Sequence, residues 1–142
     1  MDDGEIAMVE TSWARAVALG EETVGTLLFS RIFELAPPML ELFSFRDEFA
    51  AEGVAGARFK AHAVGVVGMV SKAIGGLRDL DKLVPVLVDL GAKHEGYGVL
   101  PEHYDVVGRA LVDTLEKGLG GLGPAKDAWM KVWALVSKTM LN

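Results

Sequence analysis

The spacing of the apolar residues restricts the fold of this chain more than any other feature of its sequence. In the stretch 59–74, which begins FKAHAVGVVG, the large apolar side chains recur three and four positions apart, the period of one face of an α-helix. The same period recurs along the chain, and no stretch shows the sustained alternation of a β-strand. We therefore expect an all-α protein.

Glycine, proline and polar residues divide this pattern into separate helices. The second predicted helix, for example, ends at the sequence APP, because Pro37 disfavours a helical Ala36. A helix begins at Asp81, which is expected to cap it, and Pro85 is tolerated in its first turn. The other predictions are a first helix ending near Gly20, a short helix over 38–44, a loop or partly helical corner over 46–56, a helix over 57–74, and two long helices after Gly98.

The composition fits one domain, which we expect to span residues 1–142. Hydrophobic residues make up 51% of the chain, yet no run approaches the roughly 18 to 20 apolar residues of a membrane span. The net charge is −6 without a basic stripe, which argues against nucleic acid and anionic membrane as partners. Because the chain has no cysteine and opens with acidic residues unlike a signal peptide, we expect a cytoplasmic protein.

Two histidines lie on the apolar stripes of separate predicted helices. His62 shares its face with Val66 and neighbouring valines, so we expect it to point inward, and His94 continues a leucine stripe that starts at Leu83. A buried imidazole needs a partner, because an unpaired buried polar group costs about 1–3 kcal/mol. Taken singly, each histidine is either an ordinary core residue bonded to a carboxylate or a backbone carbonyl, or a ligand of a metal.

The two histidines together favour the metal. Because the connection over 75–80 is short, we expect the two helices to pack as neighbours with both imidazoles between them. Zinc would need two further ligands, for which the sequence offers no convincing cluster. An iron porphyrin brings four nitrogens of its own and needs only one or two axial histidines. Haem therefore suits this pair best.

The remaining candidate motifs give weaker evidence about function than the two histidines. The stretch GLGGLG, residues 118–123, matches the dinucleotide fingerprint, but it joins two predicted helices and is interpreted as a loop. His103 opens a predicted helix and is expected on the surface, with its neighbour Tyr104 in the pocket. Phenylalanines are concentrated in the first third of the chain, at Phe29, Phe33, Phe43, Phe45 and Phe49. We interpret them either as ordinary core packing or as apolar walls around a flat macrocycle.

The sequence resembles the globins over nearly its whole length. The resemblance is carried by RIFELAPPMLELFSF, then FKAHAVGVV, then LVDLGAKHEGYGV, in that order. It is closest in style to plant-type haemoglobins, neuroglobin-like proteins and single-domain bacterial or algal globins. It implies seven to eight helices in a three-over-three sandwich around haem b, iron protoporphyrin IX.

The resemblance also implies roles for individual residues. His94 matches the proximal histidine that holds the iron, and His62 matches the distal histidine on the opposite side. Gly25 and Ala63 match small residues at a close helix crossing, while Gly65 stands where many globins place a residue that reaches a haem propionate. The expected haem contacts are Phe43, Phe29, Phe45, Val66, Leu90, Val99 and Tyr104.

The function implied by the resemblance is reversible binding of O2, CO and NO at the haem iron, with partial ligation of the iron by His62. The alternative is a nitric oxide dioxygenase or nitrite reductase that works with a separate reductase. A haem-free helical regulator is a third interpretation. As an assembly, a monomer or a homodimer is expected.

Overall fold

Seven α-helices and two short 3-10 helices make up the fold of the computed structural model, which describes residues 1–142. No strand is present, so the all-α prediction is confirmed. The corner predicted over 46–56 is partly helical, as expected. The α-helices are α1 Asp3–Val17, α2 Glu21–Leu35, α3 Arg46–Glu52, α4 Ala57–Gly75, α5 Leu80–Gly96, α6 Pro101–Leu119 and α7 Ala125–Met140, and the 3-10 helices are Pro37–Leu42 and Gly53–Ala55.

The ends of the helices follow from local residues, with one correction. α1 begins with a capping box in which Asp2 accepts the amide of Glu5 and the Glu5 side chain accepts the amide of Asp2. The prediction that Asp81 caps α5 is wrong: the cap position is Asp79, and Pro85 lies in the second turn rather than the first. Asp79 has a non-helical backbone, and the helix starts at Leu80, one residue before Asp81.

The six longest helices form a three-over-three arrangement, in which α1, α4 and α5 cross α2, α6 and α7. The crossing of α2 and α4 is close because both residues at its centre are small. A Cβ on Gly25 would lie 2.8 Å from the carbonyl oxygen of Ala63. This confirms the predicted role of Gly25 and Ala63 at a close crossing. GLGGLG lies where α6 and α7 join, but only in part as a loop: Gly118 and Leu119 are the last residues of α6, and the remaining four residues lie in the connection before Ala125.

α4 and α5 do not form an extensive interface with each other, although they are consecutive in the chain. α4 packs mainly on α2, and α5 packs on α7, so the expectation that α4 and α5 pack as neighbours is wrong. A short connection fixes only the adjoining ends of two helices and leaves their directions free. The side of α4 that carries His62 and the side of α5 that carries His94 therefore do not cover each other, and the space between these two sides is called the cleft below.

The core lies on the far side of these helices from the cleft. It is centred on Trp129, which is 1% exposed and packs against Trp13 with ring centroids 5.8 Å apart. Both indole N–H groups are paired, Trp129 donating to Ser12 and Trp13 donating to Ser71. None of the helices combines the length and the apolar character that a membrane crossing requires.

Candidate functional site

The cleft is bounded by one side of α4 and one side of α5. On α4, Ala63 and Val67 are fully buried against the rest of the protein, whereas Val66, one turn after His62, is only half-buried. On α5, Leu87 and Gly91 are buried, whereas Leu90 is half-buried. Each helix thus buries one apolar stripe in the core and directs an adjoining apolar stripe toward the cleft.

All six phenylalanines of the chain lie in one cluster at the end of the cleft where His62 lies. The imidazole of His62 contacts Phe29, Phe43 and Phe45, with ring centroids 5.4, 5.3 and 5.3 Å apart. Phe29 and Phe45 are almost fully buried, at 3% and 2% exposure, and Phe43 is half-buried. Phe43 therefore presents its ring to the cleft, and the other two support it from behind. The three remaining members are Phe33, Phe49 and Phe59.

His62 lies at the rim of this cluster rather than inside the core. The expectation that it points inward among the valines is wrong, since the residue is exposed on the cleft side. α4 rests on α2 through Ala63 and Val67, and this contact turns the face of His62 away from the core. Burial beside the phenylalanines lowers the pKa of the His62 imidazole, and electrostatic interaction with the His94 imidazole contributes in the same direction. The lowered pKa favours the neutral form of the His62 imidazole.

His94 is held in a fixed orientation on α5. Its Nδ1 is 2.7 Å from the carbonyl oxygen of Leu90 one turn earlier, so Nδ1–H donates to that oxygen. The other ring nitrogen, Nε2, then keeps its lone pair. The residue is half-buried. A neutral imidazole with one nitrogen bonded to a carbonyl and the other free is the usual form of a metal-binding histidine.

The other predicted contact residues are arranged around His94 and the start of α6. Val99 is half-buried and packs against the core. Tyr104 is 6% exposed, its carbonyl oxygen accepts the Trp133 indole N–H at 2.9 Å, and burial raises the pKa of its phenol. His103 is half-exposed, as predicted, and its Nδ1 accepts the amide of Leu100 at the start of α6. The Nδ1 atom of His103 is thus used at the start of α6, and we assign His103 no shared role with His62 and His94.

One residue of this region has no counterpart in the sequence predictions. Tyr97 is 66% exposed and its ring centroid lies 6.0 Å from that of His94. The signal in the sequence is its position three residues after His94, which places both side chains on one side of the helix end. Tyr97 covers part of the solvent side of His94.

The donor groups at the cleft fit a haem better than a bare metal ion. No group of three or more histidine, cysteine, aspartate or glutamate side chains is placed to hold a metal. The cleft instead offers one oriented imidazole, a second imidazole opposite, and apolar walls. A macrocycle that supplies four nitrogens and a flat apolar surface needs this combination.

Comparisons with known proteins point in the same direction. The sequence model of the globin family matches residues 26–140. Neuroglobin-2 of Oncorhynchus mykiss is 32% identical over 139 residues, covering 94% of this chain and 86% of the relative. The neuroglobin of Danio rerio is 31% identical over 149 residues, covering 99% and 90%. The solved structure of a hexa-coordinate hemoglobin of Drosophila melanogaster superposes with a TM-score of 0.90 at 24% identity, covering 99% of this chain and 93% of that one.

Proposed function

Because this chain belongs to the globin family, we propose that it holds haem through His94 and binds O2 and other diatomic gases on the side of His62. The observation that carries the proposal is the pair of imidazoles at one cleft. One is fixed by a backbone carbonyl and the other is enclosed by three phenylalanines. Haem, when bound, would supply a redox-active iron that can take a diatomic gas.

His94 is proposed to be the residue that would hold the haem iron from its side of the cleft. Its Nδ1–H is committed to the Leu90 carbonyl, so only Nε2 is available as a ligand. The hydrogen bond also restricts rotation of the ring and raises the basicity of Nε2. Leu90, Val99 and Tyr104 are proposed as apolar contacts around this histidine.

His62 is proposed to act in two ways on the side of the cleft opposite His94. A neutral imidazole has one N–H donor and one lone pair. The N–H can donate to a gas ligand that carries partial negative charge, an interaction worth about 1.5–3 kcal/mol. The lone pair would instead be available to hold the iron when no gas is present. The lowered pKa of His62 keeps both options available at neutral pH.

The phenylalanines and Val66 are proposed to keep water away from the ligand. Phe43 faces the cleft, while Phe29 and Phe45 pack against both the His62 ring and the Phe43 ring. Such apolar surroundings would strengthen a hydrogen bond from His62 to a bound gas.

Absorption spectra of the purified protein test this proposal. We expect a Soret band, a six-coordinate ferrous spectrum without gas, and a change on addition of CO. His62→Leu should convert the ferrous spectrum to five-coordinate, whereas His103→Leu, the matched control, should leave it unchanged. Absence of a Soret band after expression with haem available contradicts haem binding, and an unchanged spectrum in His62→Leu contradicts ligation by His62.

Enzymatic activity, cellular location and oligomeric state are each tested separately. Consumption of nitric oxide in the presence of O2 and a supplied reductase, or of nitrite without O2, would favour the enzymatic alternative. The expected cytoplasmic location is checked by fractionation of cells that express the chain natively. The expected monomer or homodimer is checked by analytical ultracentrifugation.

A further inference from the structure

The N-terminus of α4, the helix that carries His62, has no capping side chain of its own. Gly56 occupies the cap position; its backbone carbonyl accepts the amide of Lys60, but it has no side chain that could accept another amide of the first turn. The first turn contains no acidic residue and carries Arg58 and Lys60, whose positive charges are unfavourable at the positive end of the helix dipole. The residues of α4 alone therefore stabilise the N-terminus of this helix poorly.

Glu48 of α3 supplies what the start of α4 lacks. Its Oε1 accepts a hydrogen bond from the backbone N–H of Arg58 at 2.8 Å, across ten positions of the chain. The carboxylate thus satisfies an amide in the first turn and places a negative charge at the positive end of the helix. Lys60 is offset separately by Glu22 of α2 at 3.6 Å.

The glycine at position 56 is explained by Glu48 and not by backbone conformation. Gly56 has φ −65° and ψ 137°, which any residue adopts. A Cβ at this position would overlap Oε1 of Glu48 and lie 3.1 Å from its Cγ and Cδ. The carboxylate of Glu48 thus occupies the space that a normal capping side chain would take. Gly56 and Glu48 therefore form one unit: the cap by Glu48 requires that residue 56 has no side chain.

This cap lies close to the candidate ligand site. His62 follows Arg58 by one turn, so in a regular helix its amide bonds to the carbonyl of Arg58. Phe59, next to Arg58, is fully buried and packs against Phe45 and Phe49 with ring centroids 5.4 and 5.0 Å apart. Phe45 also touches the ring of His62. A displaced first turn therefore reaches His62 through both the backbone and the aromatic cluster.

We propose that Glu48 is a positioning residue for His62: it caps α4 from another helix and so sets the position of the imidazole in the cleft. The inference rests on the proposed function, in which His62 faces the gas ligand. It assigns a role in ligand binding to a carboxylate that is not part of the cleft wall.

The first test measures the helix itself, with the full chain both free of haem and loaded with it. Glu48→Ala should increase amide hydrogen exchange over residues 58–62 by about fivefold, the change expected for loss of a typical cap. Glu48→Gln keeps an acceptor oxygen and should fall between Glu48→Ala and the wild type. Glu52→Ala removes an equal charge from the same helix without touching the cap and should leave this exchange unchanged. Equal effects of Glu48→Ala and Glu52→Ala would overturn the proposal.

The second test uses the shared space of the two residues. Gly56→Ser alone should destabilise α4, because its Cβ collides with the Glu48 carboxylate. In combination with Glu48→Ala, the same serine has room, supplies a cap of its own and should restore the slow exchange of residues 58–62. If the effects of the two single substitutions simply add in the double variant, the two residues do not form a unit and the proposal fails.

The third test separates positioning from stability alone. In the haem-loaded protein, Glu48→Ala should change both the six-coordinate fraction of the ferrous form and the CO association rate by about twofold or more, and Gly56→Ser in the double variant should reverse both changes. Faster exchange without any change in the spectrum or the CO rate would overturn the role of Glu48 in positioning. If His62→Leu itself leaves the spectrum unchanged, the proposed function fails instead, while the exchange results still decide whether Glu48 caps α4.

Discussion

At the scale of single residues, the glycines inside the helices fall into two groups. At Gly25, Gly91 and Gly108, a Cβ would overlap atoms of a crossing helix, so each is required by close approach. At Gly65 and Gly68 of α4, no atom lies within 4 Å of the place a Cβ would take. These two lower the stability of the helix that carries His62 without any packing reason.

Alanine substitution distinguishes the two groups. Gly65→Ala and Gly68→Ala should each raise the free energy of unfolding by about 1 kcal/mol, the difference in helix propensity between glycine and alanine. Gly25→Ala, the matched control at a helix crossing, should lower it, since its Cβ would lie 2.8 Å from the Ala63 carbonyl oxygen. Urea unfolding measures all three. A loss of stability in Gly65→Ala would mean that this glycine has a contact in solution that the structure does not contain.

A second residue-scale prediction concerns buried hydroxyl groups. Thr114 is 5% exposed and its Oγ1 has no hydrogen-bond partner, whereas Ser12 accepts the indole N–H of Trp129 at 2.7 Å. Thr114→Val should raise the free energy of unfolding by about 1 kcal/mol, because it replaces an unpaired polar atom with a methyl group of similar size. Ser12→Ala should lower it by about 1–3 kcal/mol, because it leaves the indole N–H unpaired. Thermal or urea unfolding gives both values, and a loss in Thr114→Val would contradict the first.

At the scale of whole helices, the sequence predicted where helices lie better than how they face each other. The three-and-four spacing located α4 and α5 and placed His62 and His94 on their apolar sides. It could not show that each helix has two adjoining apolar stripes, one buried on a partner helix and the other facing the cleft. That division depends on which helix lies opposite, and the partners are α2 for α4 and α7 for α5. For this reason the inward orientation of His62 and the packing of α4 on α5 were predicted wrongly.

The connection between these two helices is anchored to α1. The guanidinium of Arg78 donates from Nη2 to Oε1 of Glu10 at 2.8 Å and from Nε to Oε2 at 3.2 Å. These bonds, together with the positive charge of Arg78, hold the pKa of Glu10 below its ordinary value. Because the folded-state pKa is lowered, the stabilisation is present above the unfolded pKa of about 4.3 and disappears as the pH falls through the folded pKa.

Arg78→Gln is therefore expected to destabilise the protein at pH 7 and to have progressively less effect below about pH 4. Urea unfolding of both proteins between pH 7 and pH 3 checks this. Lys82→Gln removes a cation from the same region that pairs only with Asp79, three residues away, and serves as the control. A difference between Arg78→Gln and the wild type that stays constant over the whole pH range would contradict a role for the Glu10 carboxylate.

At the scale of the whole molecule, the order of motifs along the chain was enough to predict the globin fold. RIFELAPPMLELFSF, FKAHAVGVV and LVDLGAKHEGYGV are each local, and their residues occupy α2 to the first 3-10 helix, α4, and α5. Contacts between distant parts of the chain were not predictable in this way. The capping of α4 by Glu48 leaves no local pattern, because a glycine at residue 56 and a glutamate eight residues earlier are both common in a loop. The exposed ring of Tyr97 beside His94 likewise becomes visible only when the end of α5 is in place.

The packing of α5 on α7 has a consequence for the order in which the site is completed during synthesis. α7 is the only element with which α5 shares an extensive interface, and Gly91 of α5 lies directly against the backbone of Met140. A ribosome produces α2, α4 and the phenylalanine cluster well before residues 125–140 emerge. A nascent chain can therefore assemble the side of the pocket that carries His62 while His94 still has no support. Under the proposed function, firm retention of haem is expected only after the last helix has emerged.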